Sequence, residues 1–372
     1  MLTRNRWLFL TGAVLLALVI GGFFAYQWLI ARDASKPPVI MRGDGSNGPK
    51  GMVWVPGGEF LMGSDHKLAQ QNERPTHRVR VNGFWMDATH VTNDQFSRFV
   101  KATNYVTTAE KTPDWNTVKV QLPPGTPKPP DSVLVPGAMV FTGTSKPVRL
   151  NDYSQWWAYV PGASWRHPNG PNSGIEGKGD HPVVQVSYED VLAYAKWVGK
   201  RLPTEAEWEF AARGGLNQAT YAWGDELAPN GKLQANIWDV KVRPFPVVGP
   251  AVSPEAGGAV GTLSAGTFPQ NGYGLFDMTG NAWQWVADWY RADYFPMQAK
   301  EFGKKLIVDP RGPNDSYDPS EYGVPHNAPK RVIRGGSFLC NEDYCQSYRP
   351  SARRGADPFS PMSHLGFRLV KD

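Results

Sequence analysis

Apolar and polar residues alternate in two segments that follow a stretch rich in proline, glycine and serine. Residues 52–62 (MVWVPGGEFLM) alternate on both sides of a Pro-Gly-Gly sequence, which is typical of a β-hairpin. Residues 79–86 (VRVNGFWM) alternate in the same way. The pattern therefore predicts a hairpin and a further strand at the start of the folded region.

Three later segments repeat apolar residues at helical spacing behind a residue that can cap a helix. Thr92 precedes a predicted helix over residues 93–103. Ser187 precedes YEDVLAYAKWVGK, which Gly199 can end, and Thr204 opens EAEWEFAARGG with a capping box. Helices and strands therefore both contribute to the fold.

The composition indicates that these elements are short and widely separated. The 372 residues include 39 glycines, 33 prolines and 15 tryptophans, so many turns are held by large aromatic side chains that bury too much area for a disordered chain. Residues 236–270 show no convincing periodicity. The chain is predicted to form an α+β domain with low regular secondary structure.

The N-terminus carries an apolar segment without a charged residue. Residues 7–31 (WLFLTGAVLLALVIGGFFAYQWLIA) are long enough to cross a bilayer as one helix, which needs ~20 apolar residues. Arg4 and Arg6 precede the segment and favour a cytoplasmic N-terminus. We interpret it as an uncleaved signal-anchor, the alternative being a cleaved signal peptide. Either one places the rest of the chain in the periplasm or at the cell exterior.

The predicted organisation has four parts. Residues 1–6 form a short cytoplasmic N-terminus, 7–31 the transmembrane helix, 32–50 a linker and 51–372 one large domain. The net charge of +5 is modest, and no cluster of lysine and arginine interleaves with aromatic residues. The charge pattern is that of a solvated basic surface and gives no indication of a nucleic-acid partner.

The two cysteines of the chain, Cys340 and Cys345, lie close together near the C-terminus. Such a pair can form a structural disulfide, a redox pair or a site for a soft metal ion. A disulfide closing so small a loop stabilises the fold by less than the ~3 kcal/mol of a 15-residue loop. Redox or metal chemistry is favoured, and a plain disulfide remains the alternative.

Several strings along residues 51–372 strongly resemble the formylglycine-generating enzyme (sulfatase-modifying factor) family. They are MVWVPGGEFLMGS, FWMDATHVTNDQF, HPVVQVSYEDVLAYAKWVGKRLPTEAEWEFAARGG, FPQNGYGLFDMTGNAWQWVADWY and RVIRGGSFLCNEDYCQSYRPSARR. The resemblance implies the family's C-type-lectin-like fold. The superfamily also contains iron-dependent sulfoxide synthases and non-catalytic members. The C-x4-C pair after RGGSF is the signature of the oxidase.

The resemblance implies a specific chemistry. Enzymes of this family use oxygen to convert a cysteine in a C-x-P-x-R segment of an extended sulfatase chain to Cα-formylglycine. They bind Cu(I) between two thiolates, which is a soft ion with soft ligands. By position, Cys340 and Cys345 are the copper ligands, Ser337 is the active-site serine, and Tyr344, Trp283 and Arg349 line the pocket.

One position near the cysteines departs from the family. Asn341 stands where animal members carry histidine. Asparagine can form hydrogen bonds but cannot titrate, so proton transfer at this position is not expected.

The resemblance also implies two structural calcium sites built from hard oxygen ligands. The first comprises Asn236 and Ile237, and the second comprises Asp277, Gly280, Ala282 and Gln284. Both depart from the family pattern. Gly257 stands where the first site has an acidic ligand, with Glu255 nearby, and Gln284 replaces a glutamate in the second. The alternative is that both turns close without metal.

Other clusters of chemically interesting residues are expected to be structural. Glu205, Glu207 and Glu209 with Arg201 and Arg213 resemble a catalytic cluster, but they belong to a capped helix and predict ion pairs. The histidines lack metal-binding spacings such as H-x-x-x-H, and the tryptophans are expected to fill the core.

The sequence thus predicts a membrane-anchored, copper-dependent oxidase whose partners are a sulfatase polypeptide and oxygen. Two alternatives remain open. One is a non-catalytic module of the same fold that binds a peptide or glycan with both cysteines oxidised. The other is a related oxidase acting on a small molecule or on a different peptide.

Overall fold

The computed structural model describes residues 40–248 and 260–372, all within a unit that runs from Ile40 to Asp372. The predicted transmembrane helix over 7–31 lies outside the described residues. In the described part of the chain, no helix combines the length and apolarity needed to span a bilayer. The folded unit begins before residue 51, because the amide of Trp54 donates to the carbonyl of Met41 at 2.9 Å.

A long, bent antiparallel ribbon forms the first part of the unit. β1 pairs with β4, and β2 pairs with β3. Val55 pairs with Phe84 before the bend and Gly58 pairs with Val81 after it, so the register continues unchanged. The four strands are β1 (Met52–Val55), β2 (Gly58–Met62), β3 (His77–Val81) and β4 (Phe84–Asp87).

The hairpin predicted at Pro-Gly-Gly is therefore wrong. Pro-Gly-Gly lies at a bend within one arm of the ribbon, whereas the chain reverses direction later, over residues 63–76. Pro56 has no N–H for the strand ladder. Gly57 has a φ of 69°, and a Cβ there would lie 2.6 Å from the backbone of Asn82. Only a residue without a side chain fits this close approach between the two arms.

Among the described residues, the remaining strands complete the two sheets of the ribbon and form two further sheets. β12 completes the sheet β1-β4-β12, β8 completes β2-β3-β8, and β5 pairs with β6. A four-stranded sheet has the order β10-β9-β7-β11. These strands are β5 (Gly137–Phe141), β6 (Trp157–Pro161), β7 (Trp283–Trp289), β8 (Ile307–Val308), β9 (Arg331–Arg334), β10 (Arg353–Ala356), β11 (Leu365–Gly366) and β12 (Val370–Lys371).

The three predicted helices are present with the predicted caps. Thr92, Ser187 and Thr204 each accept a hydrogen bond from the third residue of their helix, and Gly199 ends the second in a left-handed conformation. The helices are α1 (Asn93–Thr103), α2 (Trp115–Val118), α3 (Tyr188–Val198), α4 (Glu205–Arg213) and α5 (Tyr294–Phe302). Short 3-10 turns span Gln71–Glu73, Thr108–Glu110, Lys119–Gln121, Asp131–Val133, Tyr153–Gln155 and Pro229–Gly231.

Helix α4 lies in the middle of the fold and is buried along its whole length. Its carboxylates meet arginines of the neighbouring strands. Glu205 binds Arg353 of β10 at 2.6 Å and Arg334 of β9 at 3.1 Å, and Glu209 binds Arg213 at 2.7 Å. The prediction that this charged cluster is structural is confirmed. The ion pairs attach α4 to the two strands that flank the candidate site.

Candidate active site

Both cysteines lie in the segment that joins β9 to β10, and they face a cavity of about 500 Å³. Because β9 and β10 are adjacent antiparallel strands, this segment leaves and re-enters the sheet at the same end. The cavity is lined by aromatic, aliphatic and sulfur-containing side chains with few polar groups. The lining residues are Met139, Tyr153, Trp157, Phe245, Trp283, Ile333, Ser337, Leu339, Cys340, Tyr344, Cys345, Arg354, Gly355, Met362 and His364.

Two glycines let the segment turn sharply out of β9. Gly335 has a φ of 94° and Gly336 a φ of 71°, values that L side chains rarely adopt. A Cβ on Gly335 would lie 2.7 Å from the carbonyl oxygen of Met278. The turn delivers Ser337, fully buried, to the cavity wall, where its Oγ accepts a hydrogen bond from the amide of Leu339 at 3.3 Å.

Cys340 and Cys345 are joined as a disulfide. Cys340 is 1% exposed, whereas Cys345 is only partly buried, so Cys345 is the more exposed residue of the pair. The structure brings the two cysteines together with Ser337, Trp283 and Tyr344, as predicted. Ligation of copper by two thiolates would require reduction of the bond, and this role remains a prediction.

Asn341 organises the loop between the cysteines. Its Oδ1 accepts hydrogen bonds from the amides of Asp343 at 2.9 Å and Tyr344 at 2.8 Å, and its Nδ2 donates to the carbonyl of Leu339 at 3.3 Å. The side chain is 1% exposed. A side-chain oxygen that accepts hydrogen bonds from the amides two and three residues later is the ordinary Asx-turn arrangement. Asn341 therefore fixes the backbone that carries Tyr344 and Cys345.

Aromatic side chains build one side of the cavity. The ring of Tyr344 stacks on Phe245 with centroids 5.0 Å apart and meets the edge of Trp156 at 5.7 Å. Burial raises the pKa of the Tyr344 hydroxyl. Phe245 belongs to the segment without periodicity, and its contribution was not foreseen from the sequence.

Arg349 is not among the residues that line the cavity. Its two terminal nitrogens donate to the carboxylate of Glu73, each at 2.7 Å, and both residues are buried. The predicted pocket-lining role is therefore not what the structure shows. Arg349 instead attaches the end of the cysteine segment to the 3-10 turn of residues 71–73. A bidentate pair of this kind fixes orientation as well as distance.

His364 and Arg354 also line the cavity, and neither belongs to a metal-binding spacing or to the motif residues that the family resemblance indicates. Nδ1 of His364 is buried and has no hydrogen-bond partner among the described residues. Burial lowers its pKa to about 3, so the ring is neutral at physiological pH. Its ring packs against Trp157 at 4.7 Å, and its carbonyl accepts from the amide of Trp283 at 2.9 Å.

The second predicted calcium site has few free ligand oxygens. The carbonyl of Asp277 accepts from Nε2 of Gln284 at 3.3 Å and from Nη2 of Arg368 at 3.0 Å. Nε2 of His90 lies 2.9 Å from the carbonyl of Ala282. Oε1 of Gln284 accepts from Nε of Arg368 at 2.7 Å and from Nε1 of Trp208 at 2.9 Å.

Three of the four proposed ligand residues thus direct these oxygens at protein N–H groups, and a guanidinium lies among them. A divalent cation would face this cation and the positive ends of the N–H dipoles. These contacts oppose calcium binding, whereas the carboxylate of Asp277 accepts only the amide of Gly266 at 2.6 Å among the described residues, and calcium at this turn stays a prediction.

The first predicted calcium site is only partly described. Nδ2 of Asn236 donates to the carbonyl of Gly261 at 3.0 Å and to Oδ1 of Asn281 at 3.1 Å. The carbonyl of Asn236 accepts from the amide of Asn281. Ile237 is buried in the core. Glu255 and Gly257 lie outside the described residues.

Comparisons with known proteins identify the family of this chain. Residues 40–372 match the family model described as sulfatase-modifying factor enzyme 1-like domain. The chain is 43% identical over 322 residues to a formylglycine-generating enzyme of Mycobacterium tuberculosis, covering 86% of this chain and 97% of the relative. It is 35% identical to a mouse protein named inactive Cα-formylglycine-generating enzyme 2, covering 86% and 85%.

Among solved structures, PvdO from Pseudomonas aeruginosa matches with a TM-score of 0.51 at 20% identity, over 91% of this chain and 99% of that one. This likeness concerns the fold alone. The family match covers nearly the whole described unit, including both strands that carry the cysteine segment. The chain belongs to the family of sulfatase-modifying factor enzyme 1-like domains, with the mixed, loop-rich fold of that family.

Proposed function

We propose that this protein is a formylglycine-generating oxidase that converts a cysteine in a C-x-P-x-R segment of a sulfatase to Cα-formylglycine with oxygen. The observation that carries the proposal is the placement of Cys340 and Cys345 in one cavity with Ser337, Trp283 and Tyr344. The active relatives that share this family carry the name of that activity. An inactive relative also exists, so the cavity chemistry has to support the assignment.

The two sulfurs suit a Cu(I) cofactor once they are reduced. Cys340 and Cys345 would hold the ion, since soft thiolates prefer Cu(I) and two ligands leave room for a third sulfur. The bound ion would supply the redox-active centre for the reaction with oxygen. The aromatic and aliphatic lining excludes water, which strengthens the polar interactions that remain in the cavity.

The residues around the sulfurs provide few but well-placed polar groups. Ser337 presents a buried hydroxyl, and neutral His364 presents an Nδ1 without a protein partner among the described residues. Neutral imidazole can accept a hydrogen bond at one nitrogen. These groups would orient the target cysteine, whose thiol would supply the third sulfur beside Cys340 and Cys345.

The size of the cavity supports an extended client. A volume of about 500 Å³ accommodates a few side chains of an open peptide and no folded domain. The client would therefore be modified before or during its own folding.

Attachment to a membrane would favour that timing. If residues 7–31 hold the enzyme beside an export channel, its effective concentration near emerging clients rises. Removing residues 1–39 while exporting the remaining domain should lower sulfatase maturation in cells without lowering activity on peptides in vitro. Unchanged maturation in cells would exclude a role for the tether.

The decisive experiment uses a C-x-P-x-R peptide incubated with reduced enzyme, copper and oxygen. Mass spectrometry should show an aldehyde in place of the thiol. Cys340→Ala and Cys345→Ala should each abolish product, with thermal unfolding as the control for folding. Undiminished product from either variant would refute the proposal, and an enzyme that acts on a cysteine-containing small molecule instead would support the related-oxidase alternative.

A non-catalytic peptide- or glycan-binding module is the second candidate, favoured by the disulfide in the structure and by the relative named inactive. Thiol counting on the native protein, followed by Cu(I) titration under mild reduction, separates the two. A disulfide that can be reduced in a protein that still binds no copper favours the module. One copper per chain after reduction favours the oxidase.

A further inference from the structure

The cavity holds one formal positive charge and no negative charge among the described residues that line it. Arg354 carries the positive charge. His364, the other basic residue, is neutral because burial lowers its pKa to about 3. An apolar cavity with one uncompensated cation favours an anionic occupant, since the field of that cation is poorly screened by water.

Arg354 differs from three neighbouring arginines, each of which forms an ion pair with a buried carboxylate. Arg353, Arg334 and Arg349 are each bound to a buried carboxylate at 2.5–3.1 Å. Arg353 and Arg354 are consecutive in β10, and side chains of consecutive strand residues point to opposite faces. Arg353 accordingly points to Glu205 in the core, and Arg354 points to the cavity.

The guanidinium of Arg354 forms no hydrogen bond or ion pair within residues 40–248 and 260–372, although the residue is only partly exposed. Five N–H donors in a rigid fork suit a carboxylate. Its charge lies close enough to Tyr344 to oppose the effect of burial on the pKa of that hydroxyl. A half-buried cation without a counter-ion is costly to maintain, and a ligand that supplies the counter-ion would recover that cost.

We propose that Arg354 is a specificity-determining residue that binds a carboxylate side chain of the client peptide next to the target cysteine. The inference rests on the proposed function, because it assigns the cavity to a peptide. The guanidinium also disfavours the arginine of the C-x-P-x-R segment on its side of the cavity. The bound carboxylate therefore belongs to a position flanking the cysteine or to one of the two variable positions.

Binding of cysteine-free peptides tests the proposal independently of turnover. In these peptides serine replaces the target cysteine, and glutamate or glutamine occupies one flanking or variable position at a time. Fluorescence anisotropy with labelled peptides gives the Kd of each pair. At one position at least, the glutamate peptide should bind the wild-type protein about 10-fold more tightly than its glutamine twin, as a charge-assisted hydrogen bond allows.

Variants of Arg354 identify the source of that preference. Arg354→Gln should remove it, and Arg354→Lys should retain part of it because the charge remains but the planar fork is lost. Arg78→Gln is the matched control, since it removes one positive charge from an exposed strand position paired with Glu59. That variant should keep the full preference.

The outcomes separate this inference from the proposed function. Equal binding of glutamate and glutamine peptides at every position, or a preference that survives Arg354→Gln, overturns the role of Arg354 even if the enzyme forms aldehyde. A preference lost only in the Arg354 variants supports it even if no aldehyde is detected. In an active enzyme, the same substitution should raise KM for the acidic peptide and leave kcat nearly unchanged.

Discussion

The cysteine segment and the turn of residues 276–284 contrast sharply, although family resemblance assigns a metal to each. Around the cysteines, two soft sulfur atoms line a cavity, and reduction of their disulfide would free both of them. Around the turn, carbonyl and amide oxygens accept hydrogen bonds from Gln284, Arg368 and Trp208. A motif therefore identifies where a metal could bind, but the ligand atoms must also have free lone pairs facing an accessible space.

Copper titration should show the largest difference between the two regions. Reduced wild-type protein should bind one Cu(I) per chain, and Cys345→Ala should lose most of this binding because a single remaining sulfur cannot chelate the ion. Gln284→Ala is the matched control from the other region and should bind copper normally if it folds. A competition assay with a chromogenic Cu(I) chelator measures both. Full copper binding by Cys345→Ala would mean that the cysteine pair is not the copper site.

Gln284→Ala should instead lower the free energy of unfolding by about 3 kcal/mol, because it leaves several buried polar groups without partners. The groups include Nε1 of Trp208 and the carbonyl of Met278. Denaturant unfolding followed by tryptophan fluorescence measures the change. A loss below about 0.5 kcal/mol would show that these hydrogen bonds do little to hold the turn.

Acidification should destabilise both regions, because each contains a histidine kept neutral by burial. Burial lowers the pKa of His90, beside the turn, and of His364, in the cavity, to about 3, whereas an unfolded histidine titrates near pH 6.5. The unfolded state therefore binds more protons below pH 6.5, and stability falls as the pH drops from about 6.5 towards 3.

Denaturant unfolding at successive pH values measures this slope. His90→Gln and His364→Asn should each make it shallower, whereas substitution of the exposed His326 should not. A slope unchanged in both variants would mean that other groups cause the acid sensitivity.

Features that depend on neighbouring residues could be predicted from the sequence. Strand pairing could not, because it depends on residues that are distant in the chain. Thr92, Ser187 and Thr204 cap their helices as expected, because caps are satisfied within three residues. The partner of residues 52–55 lies beyond a 14-residue reversal, and alternation alone cannot identify it. Alternation therefore predicts a hairpin turn at Pro-Gly-Gly, where the structure has only a bend.

The site shows the same limit. The family resemblance indicated which segment forms the site, but it did not reveal the roles of two nearby arginines. Arg349 is bound by Glu73, which lies 276 residues earlier in the chain, while Arg354 faces the cavity. The strand pairing of β9 with β10 and the position of the 3-10 turn at residues 71–73 determine which arginine meets the site.

Calcium should have the smallest effect of all at the turn. Addition of Ca²⁺ or of a chelator should leave the unfolding temperature of the wild type unchanged. The reason is that Nε2 of Gln284 already donates to carbonyl oxygens at this turn. Gln284→Glu should be less stable without calcium, because a carboxylate cannot donate to those carbonyls. It should regain stability with calcium, because it adds the negative oxygen ligand that the ion requires. Thermal unfolding of wild type, Gln284→Ala and Gln284→Glu, with and without Ca²⁺, measures the difference. A calcium-dependent stabilisation of the wild type that disappears in Gln284→Ala would show that the turn binds calcium despite its hydrogen bonds.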